Sequence, residues 1–544
     1  MTMKFNIKNI ISAALLTLSL GGLTSCIGDL DVKNINPQQV STLDKDALLN
    51  KIYANMMLAG QKAPDDGNGG DIDGIDAGTS TMMRELFYLN ELPTDECLWI
   101  WPNDDTDDLN YNRWGDSQKH PKGLYYRLMF GVTLCNFYLN QTEGDASVAE
   151  QRAEVRFMRA LNYFYMVDLF ANPPMVTTMD DAKPKQATRQ EAYDFVESEL
   201  KNVLGEGDDN SEVLSDKPMA YGRASKAAAN LLLARLYLNA EVYTGTPQWE
   251  KAKEYANRVI NDGNWKLMTD DSNGYTAYQK LFMGDNRSNG AQEEIILPAM
   301  EDGANSRSYG GLFFVAGMTT ADVINVYPTR TSEAWGGTIP KEQFIQKFIP
   351  SGADKLSVGY PDKVAEASGD DRALFFTDGK REPRITDVSN NKNVYLYVKY
   401  TNVHSDGSAI HDGTGKWIDT YIPVLRVAEA YLTYAEADAR INGGSCTTDG
   451  LAKLNALRSR AHAKKFTSVD LQTILDEWSR EFGFECRRRM DLVRFGKFGG
   501  QSEYLWQYQN GAEEGQAFDA HFNIYPIPAS DINANDNLKQ NPKY

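Results

Sequence analysis

Cysteine, histidine and positive charge are all in short supply in this chain of 544 residues. Its five cysteines (Cys26, Cys97, Cys135, Cys446 and Cys486) are scattered, with no metal-ligand or redox spacing. This removes a zinc ribbon, a thioredoxin-like site and a disulfide-stapled scaffold from consideration. One disulfide stays open, but buried free thiols are the simpler reading, so stability must come from the hydrophobic core. The five histidines are equally dispersed, and His404 and His411 fall in a Gly/Asp-rich loop where surface exposure is expected. There is no H-E-x-x-H, P-loop or G-x-S-x-G motif. Lysine and arginine number 56 against 75 acids, a net charge of −19, and such a chain repels nucleic acid and anionic lipid. Long apolar runs are missing too. The longest, Ile10 to Leu23, is too short to span a bilayer.

That short run is informative for what flanks it. Lys4 and Lys8 precede it and Leu23-Thr24-Ser25-Cys26 closes it, the order of a secretory signal ending in a lipidation site. The expectation is a lipoprotein signal over 1–25, with Cys26 acylated and 26–42 serving as a polar tether. Cleavage would leave 519 residues at net −21, since two lysines and no acids are lost. Asp29 and Asp31, so close to the lipid, suit surface export.

The rest of the chain alternates helical blocks with Gly/Asn/Asp-rich loops. Ala153, Phe157, Ala160, Phe164 and Val167 recur at helical spacing, predicting a helix over 148–170 with Ser147 and Glu150 as its capping box. Further helices are predicted from Gly222 through Leu238, over 249–260, 424–441, 451–463 and 471–482. Helix pairs rich in Ala, Leu and Tyr fit a tetratricopeptide-like array and generic helical packing equally well. Between 295 and 421 the texture turns to loops with short β-like runs such as Val394 to Val398, a region where function commonly resides.

Aromatic residues supply the chemistry that the missing motifs do not. Sugar rings stack their C–H faces on Trp or Tyr and hydrogen-bond through their hydroxyls to Asn, Asp and Arg. In Trp99-Ile100-Trp101-Pro102-Asn103-Asp104 the polar groups that follow draw Trp101 to the surface, while Trp99 belongs in the core. Two carboxylates distant in sequence can also meet as a glycosidase pair, so a surface glycosidase stays as an alternative reading.

Several longer runs resemble the SusD/RagB family across essentially the whole mature chain. They are Asn90-Glu91-Leu92-Pro93-Thr94-Asp95-Glu96-Cys97-Leu98-Trp99, Gln151-Arg152-Ala153-Glu154-Val155-Arg156-Phe157, Ala435-Glu436-Ala437, Arg480-Glu481-Phe482-Gly483-Phe484-Glu485 with Arg488-Arg489-Met490-Asp491-Leu492, and the tail motifs Tyr525-Pro526-Ile527-Pro528 and Gln540-Asn541-Pro542. The resemblance implies a mainly α, tetratricopeptide-like scaffold with an irregular ligand-binding region and a few short strands. Its parts are a helical N-terminal part (43–294, with a ligand-binding segment over 71–115), a loop-rich binding region (295–421) and a helical C-terminal part (422–544). It also implies a lipid-anchored, non-catalytic protein at the surface of a Bacteroidetes outer membrane, partnered by a SusC-type TonB-dependent transporter and needing no cofactor. In the starch-binding member three aromatics form an arc, which maps onto Trp101, Tyr309 and Trp335. Arg84 and Asp76 map onto polar contacts, and Asn103 or Asp104 onto the amide that follows the first tryptophan. All three arc positions being aromatic favours starch or another α-glucan over levan or a host glycan. A calcium site is poorly matched: Asp419 fits one ligand, but Arg287 stands where an acid is needed, so no bound metal is expected.

Overall fold

Helices form wherever apolar residues recur every three to four positions, and they pack on one another in chain order. The computed structural model describes residues 43–60, 70–101, 104–180 and 182–544. The signal segment, Cys26 and the tether therefore lie outside the described residues, as does Asn103. The principal helices are α1 (Met82–Glu91), α2 (Lys119–Gln141), α3 (Ala149–Phe170), α4 (Arg189–Leu204), α5 (Lys226–Leu238), α6 (Trp249–Ile260), α7 (Tyr309–Ala316), α8 (Val427–Ile441), α9 (Thr448–Arg460), α10 (Leu471–Phe482) and α11 (Arg488–Arg494). From α1 to α6 each packs on the next, and α6 then packs against α8, which carries α9 and α10. Asp46 to Tyr544 forms one compact unit.

Several helix starts differ from the periodicity; the helix expected over 451–463 runs Thr448–Arg460, with Thr447 accepting the Gly450 N–H. A 3₁₀ turn over Ala146–Val148 precedes α3; Asp145 caps that turn through the Ser147 N–H, and α3 itself has no side-chain cap, so the Ser147/Glu150 box does not form. The short Asp145 side chain accepts that N–H first and pulls the chain into the tighter turn. The helix expected from Gly222 starts only at Lys226, where Ser225 accepts the Ala228 N–H.

Strands are few and short. β1 (Cys97–Trp99) pairs antiparallel with β3 (Thr338–Pro340), and β2 (Ile295–Ala299) with β4 (Ile422–Arg426). The expected helix from Val424 therefore begins at Val427, because Val424 to Arg426 finish a strand first. Of the run Val394 to Val398 only Leu396–Tyr397 pairs as strand, against Phe375–Phe376. No described helix is long and apolar enough to cross a membrane. Cys97, Cys135 and Cys486 are buried and Cys446 half-buried, all as free thiols.

The arginine-rich C-terminal motif faces inward. Arg488 bonds Asp95 at 2.7 and 2.8 Å, Arg489 pairs with Asp168, and Arg487 and Arg494 share Asp491. Nearby, Arg372, Arg426 and Arg460 converge on Glu481, with Glu477, Glu485 and Glu294 completing the cluster. Buried charges persist only when paired and hydrogen-bonded, and here each guanidinium finds carboxylate partners. This network fastens α10 and α11 to α1 and to the segment that leads into β1.

Candidate functional site

Two contacts assemble the site: β1 against β3, and α7 against α1. Trp99 ends β1, and its backbone N–H and C=O are both bonded by Asn110, at 3.1 and 2.7 Å. Its indole is 1% exposed and fills the space beside Gly337, where a Cβ would collide with the ring. Trp101, two residues on, is 36% exposed. The separation of these two tryptophans into core and surface is as expected.

Tyr309 opens α7. Its N-cap Ser308 accepts from Gly310 and Gly311 N–H and donates to the Met57 carbonyl at 2.6 Å. The two glycines are needed for close approach: a Cβ at Gly310 would collide with the Thr81 side chain, and one at Gly311 with the Glu301 carboxylate. Trp335 is hung from the other end of α7, its N–H donating to the Ala316 carbonyl at 2.8 Å.

The three rings meet. Trp101 and Trp335 have centroids 6.0 Å apart with planes inclined by 49°, and Trp335 and Tyr309 are 6.3 Å apart at 38°. The surface is faceted rather than flat. Trp101 Nε1 donates to the Trp335 carbonyl at 3.1 Å, so its indole N–H is used in holding the platform and its face is what it can offer a ligand.

The polar residues divide. Asp76 is exposed; its Oδ1 accepts the Thr79 N–H at 3.2 Å and lies beside Gly78, which also packs against Tyr309. Arg84 is only 5% exposed and lies under the platform, its guanidinium 5.6 Å from the Trp335 ring. It donates to Tyr88 Oη at 2.9 and 3.1 Å and to the Gly78 carbonyl at 3.3 Å, and pairs with half-buried Asp104 at 3.7 Å. Beneath Asp104, His120 bonds its carbonyl at 2.7 Å and turns its other ring nitrogen to buried Glu85.

The sequence reading missed Trp417. Its buried ring meets Tyr309 edge-on at 5.0 Å and supports one end of the platform. The Gly413-Thr414-Gly415-Lys416-Trp417 loop offers no periodicity by which to find it. Asp419 holds this loop in place. Its carboxylate accepts from His404 Nε2 (3.1 Å), His411 Nδ1 (2.9 Å) and the backbone N–H groups of His411 (2.8 Å) and Gly303 (3.0 Å). His404 is accordingly buried rather than exposed, because a buried carboxylate recruits every donor within reach. Burial raises the Asp419 pKa, but the His404, His411 and Gly303 hydrogen bonds outweigh it and hold the group at about 2. Its stabilising contribution is complete above the ordinary carboxylate value and disappears as pH falls towards 2. Asp419→Ala strands several buried donors, so it is expected to cost about 2 kcal/mol or more in urea unfolding at neutral pH. A change within experimental error would show that the loop does not depend on it.

Asp302, His411 and Asp419 bring donor atoms within 4.8 Å of one another. They do not suit calcium, which takes six or more oxygen ligands. The Asp302 carboxylate already binds the Ala304 and Asn305 N–H groups, Asp419 is saturated, and Arg287 Nη2 lies 3.1 Å from His411 Nε2. A guanidinium there opposes a divalent cation.

Residues 317–544 match the SusD family model, and residues 30–238 match a model described as starch-binding and associating with the outer membrane. The starch-binding protein SusD of Bacteroides thetaiotaomicron is 39% identical, with 99% of each chain covered. Among solved structures, a SusD-like protein of Bacteroides fragilis superposes with a TM-score of 0.67 at 18% identity, covering 92% of this chain and 96% of that one. A laminarin-binding SusD-like protein gives 0.63 at 19% identity, covering 92% and 99%. The stepwise helix packing is the tetratricopeptide-like scaffold of these proteins. With nearly its full length aligned to one member and both halves matched by family models, the chain belongs to the SusD family.

Proposed function

We propose that this protein is a cell-surface lipoprotein that captures starch or other α-glucan oligosaccharides and passes them to a SusC-type TonB-dependent transporter. The observation that carries the reading is the platform of Trp101, Trp335 and Tyr309, three rings from distant parts of the chain lying side by side and inclined. A solved structure with the same fold is described as laminarin-binding, so the fold does not choose the glycan and the ring geometry must. Inclined faces suit a coiled chain, whose successive sugars turn with it, better than a straight one. The relative with 39% identity is a starch-binding protein, which supports the same choice.

In this reading the rings supply most of the affinity through stacking. Asp76 and Asp104, with Asn103, accept and donate hydrogen bonds at the sugar edge, and Arg84 orders Trp335 and Asp104 from below. Each contact is weak, so affinity rises with chain length as more subsites are engaged. Nothing is hydrolysed; the sugar is held and released. Cys26 carries the lipid that keeps the protein in the outer membrane.

Native gels containing amylopectin test this directly. The protein is expected to be retarded by amylopectin and not by linear β-glucans, and to release no new reducing ends from starch. Unchanged mobility would reject the α-glucan assignment, and retardation by levan or another glycan instead would redirect it. New reducing ends would revive the glycosidase alternative.

A further inference from the structure

Exposed aromatic rings are rare on this molecule. Among the described residues only Trp101 and Tyr360 leave more than a third of a large aromatic side chain open to solvent. Trp101 belongs to the platform. Tyr360, 44% exposed, stands at a separate cleft of about 380 Å³, within the ordinary range for small-molecule sites of about 300–1,000 Å³. We infer that this cleft is a second carbohydrate site, one that takes a neutral mono- or disaccharide unit.

Three tyrosines from different segments converge on it. Tyr360 precedes the helix Pro361–Ser368 and leans on Phe376 with centroids 6.1 Å apart. Tyr327 is half-buried against the apolar cluster that includes Ile385, Leu396 and Val398. Tyr275 comes from a tight turn made by Asn273 and Gly274, both at positive φ. Val326, 53% exposed, adds to the apolar rim. Single exposed apolar residues mean little, but an exposed tyrosine and an exposed valine at one concavity form a patch that water covers poorly.

Polar groups in the wall are positioned rather than floppy. Gln279 has its Oε1 held by the Thr276 N–H at 2.9 Å. Asp362 and Asn273 add a carboxylate and an amide. Aromatic faces beside amide and carboxylate groups are the requirements of a sugar, with its apolar ring face and hydroxyl edge.

Charge narrows the ligand. Lys399 lines the cleft, but its Nζ is committed to the Gly483 carbonyl at 2.8 Å and to Glu485 at 2.6 Å, so its stem rather than its charge faces a ligand. Asp362 then gives the wall a negative charge on a protein already at −19. Uronic acids and phosphosugars are opposed and neutral hexoses are not. The cleft's shape and chemistry stand by themselves; the choice of a glycan as occupant rests on the reading of the platform. A second weak site would let one branched polymer engage the protein twice, raising avidity without a stronger contact anywhere.

Saturation-transfer NMR on the full-length protein with glucose, maltose, cellobiose and galacturonate separates the two sites. In Trp101→Ala, which removes the platform, at least one neutral sugar is expected to keep its signal while galacturonate gives none. Adding Tyr360→Ala should lower that signal at least tenfold, whereas Tyr360→Phe, which keeps the ring, should retain it and confirm that the cleft is folded. A Trp101→Ala protein silent towards every neutral sugar would overturn the inference, and so would a signal indifferent to Tyr360→Ala. If the wild type is retarded by amylopectin and Trp101→Ala is silent, the platform stands and the second site falls. If the wild type ignores amylopectin but shows a Tyr360-dependent sugar signal, the reverse holds.

Discussion

Trp101→Ala is expected to abolish retardation by amylopectin while leaving the unfolding transition almost unchanged. The indole is the most exposed ring of the platform, and its one side-chain hydrogen bond is to the Trp335 carbonyl. Truncation removes a stacking face and releases Trp335, so two of the three rings lose their arrangement at once. Central aromatic residues of a binding surface commonly contribute about 2 kcal/mol or more, which corresponds to about thirtyfold in Kd. With weak subsites that is enough to lose binding in a gel. Trp99→Ala provides the contrast. Its ring is buried against Tyr88, Phe313 and Gly337, so truncation opens a core cavity at a cost of about 3–5 kcal/mol in stability. The two variants, two residues apart, should fail in different assays. Retained glycan binding in well-folded Trp101→Ala would remove the platform from the mechanism.

Glu481→Ala is expected to destabilise the fold by about 3–5 kcal/mol in urea unfolding. Glu481 is fully buried on α10, accepting from Arg426 Nη1 at 2.7 Å, from Arg372 Nη1 at 3.1 Å and from Arg460. Removing it leaves three guanidinium groups packed together with too little negative charge, and breaking a buried cluster costs far more than its net contribution to an intact fold. Burial raises the carboxylate pKa, but the coulombic pull of Arg460, Arg426 and Arg372 exceeds it and holds Glu481 at about 2. Glu477, facing Arg372, Arg480 and Arg458, is held at about 2 in the same way. Both contribute their full stability above the ordinary glutamate range and lose it as pH falls from there towards 2. Wild-type stability should therefore drop steeply below about pH 4.5, where unfolded glutamates begin to protonate. Glu481→Gln should show a shallower drop. An identical pH profile in the variant, or a loss below about 1 kcal/mol, would mean that the cluster is better compensated than its geometry indicates.

Local order in this chain was legible because it is written in short-range patterns. The helices over 249–260 and 471–482 appear with the predicted bounds, since apolar spacing fixes both the buried face and the length. Trp99 and Trp101 sorted into core and surface because the polar residues after Trp101 pull that end of the segment into water. Where two local signals competed, the reading slipped. Asp145 displaced the Ser147 cap, and Val424 joined a strand because its partner, β2, lies far back in the chain. No window of sequence contains both halves of that pairing.

The sequence by itself determined a helical body, a strongly acidic composition and three aromatic residues that could serve a sugar. Only the tertiary structure decided that those rings lie side by side, that Arg84 supports the platform from beneath, and that the arginines after α10 are buried in ion pairs. The physical reason is that periodicity records whether a side chain faces water, which each segment settles alone. Which residue it faces depends on the glycines that let α7 approach α1, on the β1–β3 register, and on Asp419 gathering donors from three segments. These are properties of the packed chain, and no local pattern encodes them.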